Sequence, residues 1–176
     1  MILKNHKNTI KEYFFTNPTK KLRVREIERE LDIPLPSVIR YVKESVSENI
    51  LKREQIGTVV FYTANRSEKE YLIEKKLSNI RQIYSSGLIE YLINELSNPV
   101  IILFGSYARG EDTENSDIDL FIQTKSKSSI DLKKYEKNLN RNIQLFTFNS
   151  IKEIQNKELA NNIINGIIFN GFIEVL

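Results

Sequence analysis

Cysteine is absent from the 176-residue chain, which also has no tryptophan and only one histidine and one methionine. Without cysteine the chain has no disulfide, no thiolate metal site and no cysteine nucleophile. Long apolar runs are missing too. None approaches the ~20 residues that a membrane-spanning helix needs, and the polar segment 1–11 lacks the apolar core of a secretory signal. We therefore expect a soluble cytoplasmic protein with no membrane partner.

Charge is distributed unevenly along the chain, although the net charge is only +3. Residues 1–86 contain 17 basic and 11 acidic side chains, whereas residues 87–176 contain 9 basic and 12 acidic ones. A basic region suits nucleic-acid phosphates, and an acidic region suits metal ions. Because the length is sufficient for two small domains with a core in each, the sequence predicts two units with different partners.

Apolar spacing predicts three helices and a hairpin in the first 66 residues. Val24, Ile27 and Leu31 share one face of a short helix, and Pro36 suits the first turn of the next. In that next helix an apolar stripe is expected, with Val38 and the basic side chains outside it. The predicted elements are a helix from about Lys7 to Phe15, the helix ending at Leu31, a helix with its stripe at Ile39, Val42 and Val46, and strands Ile50–Gln55 and Thr58–Thr63 joined around Gly57.

Two helices with a short turn between them, followed by a hairpin, form a helix-turn-helix layout whose second helix can enter a DNA major groove. The segments Arg23-Val-Arg-Glu-Ile-Glu-Arg-Glu-Leu31 and Pro36-Ser-Val-Ile-Arg-Tyr-Val42 carry a resemblance, over about residues 8–65, to the winged helix-turn-helix domains of prokaryotic regulators. The alternative is a small helical domain used for protein contacts. The residues predicted to contact DNA are Ser37, Arg40, Tyr41 and Lys43 on the second helix, and Lys52 and Arg53 on the hairpin.

A connecting helix is predicted from Ser67 to Tyr84, because Ile73, Leu77 and Ile80 recur at three- and four-residue steps. Its apolar stripe packs on its own domain or, alternatively, forms a homodimer. A Ser-Ser-Gly segment then marks the boundary between the two units. We predict a winged helix-turn-helix domain over residues 1–66, the connecting helix over 67–86 and a second domain over 87–176.

Strands and helices alternate in the second unit, which predicts a small mixed sheet with helices on one face. The fold class of the whole chain is therefore α+β. The predicted elements are helix Leu88–Leu96, strand Val100–Phe104, strand Asp117–Gln123, a helix from about Ser129 to Asn140, strand Ile143–Phe148, a helix from about Ser150 to Ile164, and a final apolar run to Leu176.

The polar stretch between the first two of these strands contains the residues that can carry chemistry. The first strand ends at Gly105-Ser106, where glycine allows close backbone approach and a helix start offers N–H groups to phosphate. Asp117 and Asp119 begin the second strand, so both carboxylates lie on one face while Ile118 points into the core. Two carboxylates beside a phosphate cradle suit Mg²⁺ shared with a nucleotide. They imply attack on a nucleoside triphosphate with pyrophosphate as leaving group.

This pattern, Gly105-Ser106, ten residues, then Asp117-Ile118-Asp119, resembles the signature of the nucleotidyltransferase superfamily typified by DNA polymerase beta, and of its minimal nucleotidyltransferase branch. Tyr107-Ala-Arg-Gly110 and Ser116 add to the resemblance, which covers about residues 88–172. The resemblance implies a polymerase-beta-like α/β sheet and transfer of a nucleoside monophosphate to a hydroxyl. The favoured transfer is of AMP from ATP. By resemblance, Asp117 and Asp119 would be catalytic and hold Mg²⁺ or Mn²⁺, while Gly105 and Ser106 cradle the phosphates.

Two further side chains leave alternatives open. Arg109 could meet the triphosphate or pair with an acid of the nearby loop, and Tyr107 could stack on a base or pack in the core. Relatives with a full two-metal site have a third carboxylate on the neighbouring strand, where this chain has Gln144. An amide has no charge and cannot act as a general base. The loop acids, of which Asp112 is one, are expected to be mobile and offer no obvious substitute.

Three interpretations of Gln144 follow: the enzyme works with two carboxylates, the acceptor supplies the missing group, or the domain binds nucleotide without turnover. The resemblance suggests two kinds of acceptor in a toxin–antitoxin setting, a HEPN toxin modified by an antitoxin or a tRNA end modified by a toxin. The alternative function is a DNA-binding transcription regulator whose second domain senses nucleotide.

Overall fold

The computed structural model describes residues 5–174 and divides the chain into two compact units, residues 1–78 and 79–176. Residues 1–4 and 175–176, which belong to the ends of the predicted domains and of the final apolar run, lie outside the described residues. Within 5–174 the structure has eight α-helices and two sheets, a mixed α and β composition. No helix in that range combines the length and apolar character needed to cross a bilayer.

The first unit contains three helices and a small antiparallel sheet. Its strands are arranged in the order β1-β3-β2, so the two long strands form a hairpin with the short one beside it. The elements are α1 His6–Thr16, β1 Lys21–Leu22, α2 Val24–Leu31, α3 Leu35–Ser47, β2 Leu51–Ile56 and β3 Val59–Ala64. The helices and the hairpin that the sequence predicts are therefore present.

The turn between α2 and α3 follows from local chemistry. Arg23 precedes α2, and its backbone N–H donates to the Glu26 carboxylate at 2.8 Å, which satisfies the exposed start of the helix. Asp32 ends the helix in the left-handed conformation at φ 52°. Pro36 then lies in the first turn of α3, where its missing N–H costs nothing. The two helices are thus held close together by a three-residue connection.

The apolar stripe of α3 differs from the predicted one by one position. Val38 and Val42 are fully buried and Ser45 is buried beside them, whereas Ile39 is 37% exposed. The prediction that Ile39 faces the core and Val38 lies outside was therefore wrong. The four-residue step from Val38 to Val42 and the three-residue step from Ile39 to Val42 fit a helix equally well, and only the packing against α1 and α2 decides between them.

Helix α4, Lys69–Ser86, begins in the first unit and ends in the second, and it is the predicted connecting helix. In the first unit its buried Tyr71 and Lys75 face α1, and the Lys75 ammonium donates to the Phe15 carbonyl at 2.6 Å. On the other side of the helix, Ile73 and Leu77 are 47% and 52% exposed.

The second unit is built on a four-stranded sheet with the order β6-β5-β4-β7. Strands β5 and β6 are parallel, and the other neighbours are antiparallel. The elements are α5 Leu88–Glu95, β4 Val100–Phe104, α6 Gly105–Arg109, β5 Ile118–Gln123, α7 Lys133–Leu139, β6 Ile143–Phe148, a 3₁₀ turn Ile151–Glu153, α8 Lys157–Ile164 and β7 Ile167–Asn170.

Two predicted helices of this unit are shorter than expected. Helix α7 starts at Lys133 because the backbone just before it has other partners. The Asp131 N–H donates to the Tyr91 hydroxyl, and the Lys133 N–H donates to the Asp131 carboxylate, each at 3.1 Å. The helix predicted over 150–164 is interrupted. Asn156 caps a separate α8 by accepting from the backbone N–H groups of Glu158 and Leu159.

Apolar side chains cover both faces of the sheet. Along β4, Ile101 and Leu103 belong to one cluster with α5 and α7, whereas Ile102 and Phe104 belong to another that includes Ile163 of α8. The prediction of helices on one face was therefore wrong. The continuous apolar sequence of β4 is typical of a strand buried on both sides.

Candidate active site

The two aspartates lie at the start of β5, where the strand emerges from a polar loop. Asp119 is the second residue of β5 and is opposite Phe104 of β4, while Asp117 directly precedes the strand. Both are half-buried. Ile118 and Leu120 are fully buried in the core on the other face, as predicted. Because side chains alternate along a strand, the two carboxylates lie on one side of the sheet.

Gly105 brings the start of α6 against the second carboxylate. Its φ is +75°, and a Cβ built on it would lie 2.3 Å from Oδ2 of Asp119. Two features disfavour any side chain at position 105: the left-handed backbone conformation and the nearby Asp119 carboxylate. Ser106 follows, half-buried, in the first turn of α6, where backbone N–H groups have no partner within the helix. Helix start and carboxylates therefore meet at one place.

Electrostatics at this place favour a bound cation. Burial raises the pKa of the Asp119 carboxyl, the charge of Asp117 raises it further, and the charge of Arg109 partly opposes both. Two carboxylates that repel each other in a half-buried position are stabilised by a divalent cation between them. Asp117 and Asp119, with the backbone of Gly105 close by, fit one hard cation that prefers oxygen ligands.

Arg109, at the end of α6, pairs with an acid of the adjoining loop. Its side chain is 53% exposed, and its Nε donates to the Glu111 carboxylate at 2.7 Å. An exposed ion pair of this kind contributes about 0–1 kcal/mol, so a bound phosphate can replace it. The position agrees with either role predicted for this guanidinium.

The loop between α6 and β5 is held in place by a buried carboxylate. Asp112 is only 1% exposed and accepts from the Asn79 side chain at 2.8 Å, while the same amide donates to the Tyr107 carbonyl at 2.9 Å. The prediction that Asp112 belongs to a mobile loop was therefore wrong. Tyr107 is 2% exposed within the core, which settles its role as packing.

Strand β6 places two amides beside the two carboxylates. In the parallel register Gln144 is opposite Asp119, and the Asn142 side-chain amide donates to Oδ1 of Asp117 at 3.1 Å. Both amides are exposed. Sequence reasoning identified Gln144 but missed Asn142. The sequence does contain a signal for Asn142. Asn142 and Gln144 are two residues apart, as are Asp117 and Asp119, so the two pairs can face each other on neighbouring strands.

An open cleft of about 470 Å³ adjoins Asp117. Sequence reasoning did not identify it, because its walls come from the loop before β5, from Glu136 of α7 and from the connection between α7 and β6. The lining is almost entirely polar and consists of Glu114, Asn115, Ser116, Asp117, Glu136, Asn140, Arg141 and Asn142. A ligand in this cleft would be held by hydrogen bonds and charge.

The predicted DNA-contacting residues on α3 differ in exposure. Arg40 and Lys43 are exposed, and Ser37 and Tyr41 are half-buried. The Arg40 guanidinium pairs with Glu44 at 2.9 Å and lies 5.2 Å from the centre of the Tyr41 ring. The two basic side chains are thus available on the outer side of the helix.

The two predicted hairpin contacts lie on opposite faces. Lys52 forms an ion pair with Glu54 at 3.0 Å, while Arg53 donates to the Gln55 side chain at 3.3 Å. Neighbouring residues of a strand point to opposite sides. One flat DNA surface therefore meets only one of these two cations.

Comparison with known proteins bears on the second unit. Residues 86–170 match the family model described as a nucleotidyltransferase domain. No curated protein and no solved structure gives a significant match to the chain. The matched segment contains the Gly-Ser turn, both aspartates and all four strands of the sheet. It supports a polymerase-beta-like nucleotidyltransferase domain, and with it nucleotidyl transfer, in this half of the chain.

Proposed function

We propose that the second unit transfers a nucleoside monophosphate from a nucleoside triphosphate to a hydroxyl group of a protein or RNA. The favoured group is AMP, with ATP as its donor. The observation that carries this proposal is the contact between the Gly105 backbone and the Asp119 carboxylate. It brings a helix start suited to phosphate and a carboxylate pair suited to a cation to the same point. This is the arrangement that a nucleotide–metal complex requires.

The reaction balances as a single displacement. The acceptor oxygen forms a bond to the α-phosphorus, the bond from that phosphorus to the bridging oxygen of the β-phosphate breaks, pyrophosphate leaves, and the hydroxyl proton passes to solvent. Asp117 and Asp119 would hold Mg²⁺ or Mn²⁺, which when bound neutralises charge on the phosphate oxygens. Gly105, Ser106 and Arg109 would bind the phosphates through backbone N–H groups, a hydroxyl and a guanidinium.

Label transfer from α-labelled ATP tests the proposal. Purified protein is incubated with Mg²⁺ or Mn²⁺ and with tRNA or a candidate protein acceptor, and label on the acceptor and released pyrophosphate are measured. We expect both products from the wild type and neither from Asp117→Asn. Asp131→Asn is the matched control, since Asp131 is an exposed carboxylate of the same unit outside the site. Equal loss in both variants would contradict the assignment.

A nucleotide-sensing regulator is the second candidate, and the position of Gln144 opposite Asp119 favours it. A sensor binds ATP and returns it unchanged, since a neutral amide provides neither a metal-binding charge nor a base. Nucleotide recovered intact after incubation with every acceptor tested, together with saturable ATP binding, would support this candidate over the enzyme.

For the first unit we propose a winged helix-turn-helix that binds DNA through the N-terminal part and outer side of α3. Exposed Arg40 and Lys43 on one helix favour it, because cations on the helix that enters the groove contact phosphates and base edges. DNA affinity should fall steeply with salt concentration. Affinity for protein alone, unaffected by salt, would favour the protein-contact alternative.

Two further parts of the proposed function are the acceptor and the assembly. A HEPN toxin or a tRNA end is the acceptor class suggested by the resemblance to minimal nucleotidyltransferases, and the cytoplasm is where either would meet nucleoside triphosphates. A homodimer is favoured by Ile73 and Leu77, which are about half exposed on one side of α4. Sedimentation of the wild type and of Leu77→Glu would distinguish a dimer from a monomer.

A further inference from the structure

Strands β5 and β6 form a small ladder in which carboxylates face amides. Ile118 pairs with Ile143 and Asp119 with Gln144 in parallel register. One step earlier, the Asn142 amide donates to Asp117. The side of the sheet that bears both carboxylates therefore continues onto β6 as two neutral side chains at the same spacing.

Charge limits what this ladder can hold. Two carboxylates balance one divalent cation, and a second cation beside it needs a further anionic ligand from the protein because Mg²⁺ and Mn²⁺ prefer carboxylate oxygens. Among residues 5–174 no group of three or more His, Cys, Asp or Glu side chains is placed to hold a metal ion. The nearby Asp112 is turned inward to Asn79. Glu136, which lines the cleft beside Asp117, accepts from the Ile143 backbone N–H. No third carboxylate therefore joins Asp117 and Asp119 as a metal-binding group in the described part of the chain.

We propose that the site, with nucleotide bound, holds one divalent cation between Asp117 and Asp119, and that Gln144 occupies with a neutral amide the place from which a second cation would be held. This inference rests on the proposed function. The Asn142 amide, which donates to Oδ1 of Asp117 at 3.1 Å, is neutral as well and adds no anionic ligand. The single cation is the one shared with the triphosphate.

Equilibrium dialysis counts the bound ions directly. The full chain is dialysed against Mn²⁺ and a non-cleavable ATP analogue with a methylene group between the α- and β-phosphates, and manganese, analogue and protein are measured on both sides. We expect one Mn²⁺ and one analogue per wild-type chain. Gln144→Glu should bind two Mn²⁺ per chain at the same analogue stoichiometry, because it places a third carboxylate opposite Asp119.

Two controls separate charge from position. Gln155→Glu adds the same charge at an exposed residue of the same unit, outside the strands, and should stay at one Mn²⁺. Gln144→Asp provides a shorter carboxylate if the glutamate variant fails to fold, which thermal melting detects. Gln144 is exposed at the start of β6, so both variants are expected to fold.

The outcomes of the dialysis separate the single-cation proposal from the proposed nucleotidyl transfer. Two Mn²⁺ per wild-type chain would overturn the single-cation site and leave nucleotidyl transfer standing. One Mn²⁺ in the wild type and in both Gln144 variants would overturn the role of Gln144. No analogue-dependent Mn²⁺ binding by the wild type would overturn both proposals.

Discussion

Arg40 on α3 and Asp119 on β5 are both proposed to act on phosphate-containing partners, yet they are held in different ways. Arg40 has a 69% exposed side chain and is paired with Glu44 one turn away. Asp119 is half-buried, and the backbone of Gly105 lies against its carboxylate. The surface of the first unit can adjust to its partner, whereas the second unit holds its charged groups in place before a ligand arrives.

This difference follows from what each task needs. Neutralising the phosphates of DNA requires enough basic side chains along the protein surface, and the flexibility of those side chains reduces DNA affinity little. Transfer between two bound groups requires charged groups positioned in advance. The repulsion near Asp119 is the cost of such positioning. Breaking the close contact should therefore abolish function in the second unit, while removing one exposed cation should only weaken the first.

The largest effect is expected from Gly105→Ala. The new methyl group would lie 2.3 Å from Oδ2 of Asp119 at φ +75°, so it forces the helix start and the carboxylate apart. Misplacement of about 1 Å at a reacting centre costs on the order of 100-fold in rate, and we expect at least that loss in label transfer. Rates are measured with α-labelled ATP as above.

Gly87→Ala provides the matched control for Gly105→Ala. Gly87 also has φ +75°, but a Cβ there would meet nothing within 4 Å. Both variants therefore carry the same backbone strain, about 1 kcal/mol, and only one disturbs the carboxylate. Similar losses of label transfer in the two variants would show that strain, rather than the contact with Asp119, explains the result.

The next largest effect should come from Asn79→Ala. This buried amide donates to the Asp112 carboxylate and to the Tyr107 carbonyl, and its loss leaves both acceptors without that donor. Each buried polar group so affected costs about 1–3 kcal/mol, and the melting temperature should fall by about 5–10 °C. Calorimetry of Asn79→Ala against exposed Asn138→Ala checks this. Equal melting temperatures would show that the loop does not depend on this anchor.

Arg40→Ala should have a smaller effect, on DNA binding. Loss of one phosphate contact reduces the slope of log K against log salt by about 1 and weakens binding by about 5- to 10-fold, the cost of ~1 kcal/mol. Fluorescence anisotropy over a salt series measures both quantities. Lys137→Ala removes an exposed cation from the second unit, and if it weakens DNA binding as much, α3 is not the specific contact.

How far the sequence predicts the molecule differs between its parts. Strands β4 and β6 have the predicted bounds. The continuous apolar run of β4 lies between Pro99 and Gly105, and the mixed apolar and polar run of β6 lies between polar turn residues, Asn142 and Asn149. The spacing from Gly105 to Asp119 indicated the candidate site because it resembles the nucleotidyltransferase signature, in which the proposed chemistry requires particular residue types. The α3 stripe was wrong because Val38 and Ile39 suit the core equally. Helix α7 was overextended because the Asp131 side chain accepts from the Lys133 backbone N–H, a local bond that favours a later helix start.

Parts of the site depend on pairing that local patterns do not specify. The opposition of Gln144 to Asp119 and the bond from Asn142 to Asp117 require the parallel register of β5 and β6. The inward turn of Asp112 requires Asn79, 33 residues away. A carboxylate in a polar loop is usually exposed, and here the Asn79 amide and the buried Arg141 guanidinium, whose Nη2 lies 3.9 Å from the Asp112 carboxylate, make its burial favourable.

The smallest predicted effect, Asp119→Asn, separates stability from function. The pKa of the Asp119 carboxyl is raised by burial and by Asp117, so its ionised form opposes folding at neutral pH. Removing the charge should raise the melting temperature of the metal-free protein by about 1–3 °C. The gain should disappear as the pH falls through the raised pKa and below the ordinary value of about 4, because the wild-type carboxyl is then protonated in both states.

Adding Mn²⁺ with the non-cleavable ATP analogue should reverse the order of the two proteins. The wild type gains stability by binding, whereas Asp119→Asn lacks one of the two carboxylates that hold the cation and gains little. Melting curves at neutral pH, with and without the ligands, measure both effects in one experiment. A metal-free Asp119→Asn protein that melts below the wild type would show that this carboxylate stabilises the fold. The contrast with the first unit would then lose its basis, because the charged groups of both units would contribute to stability.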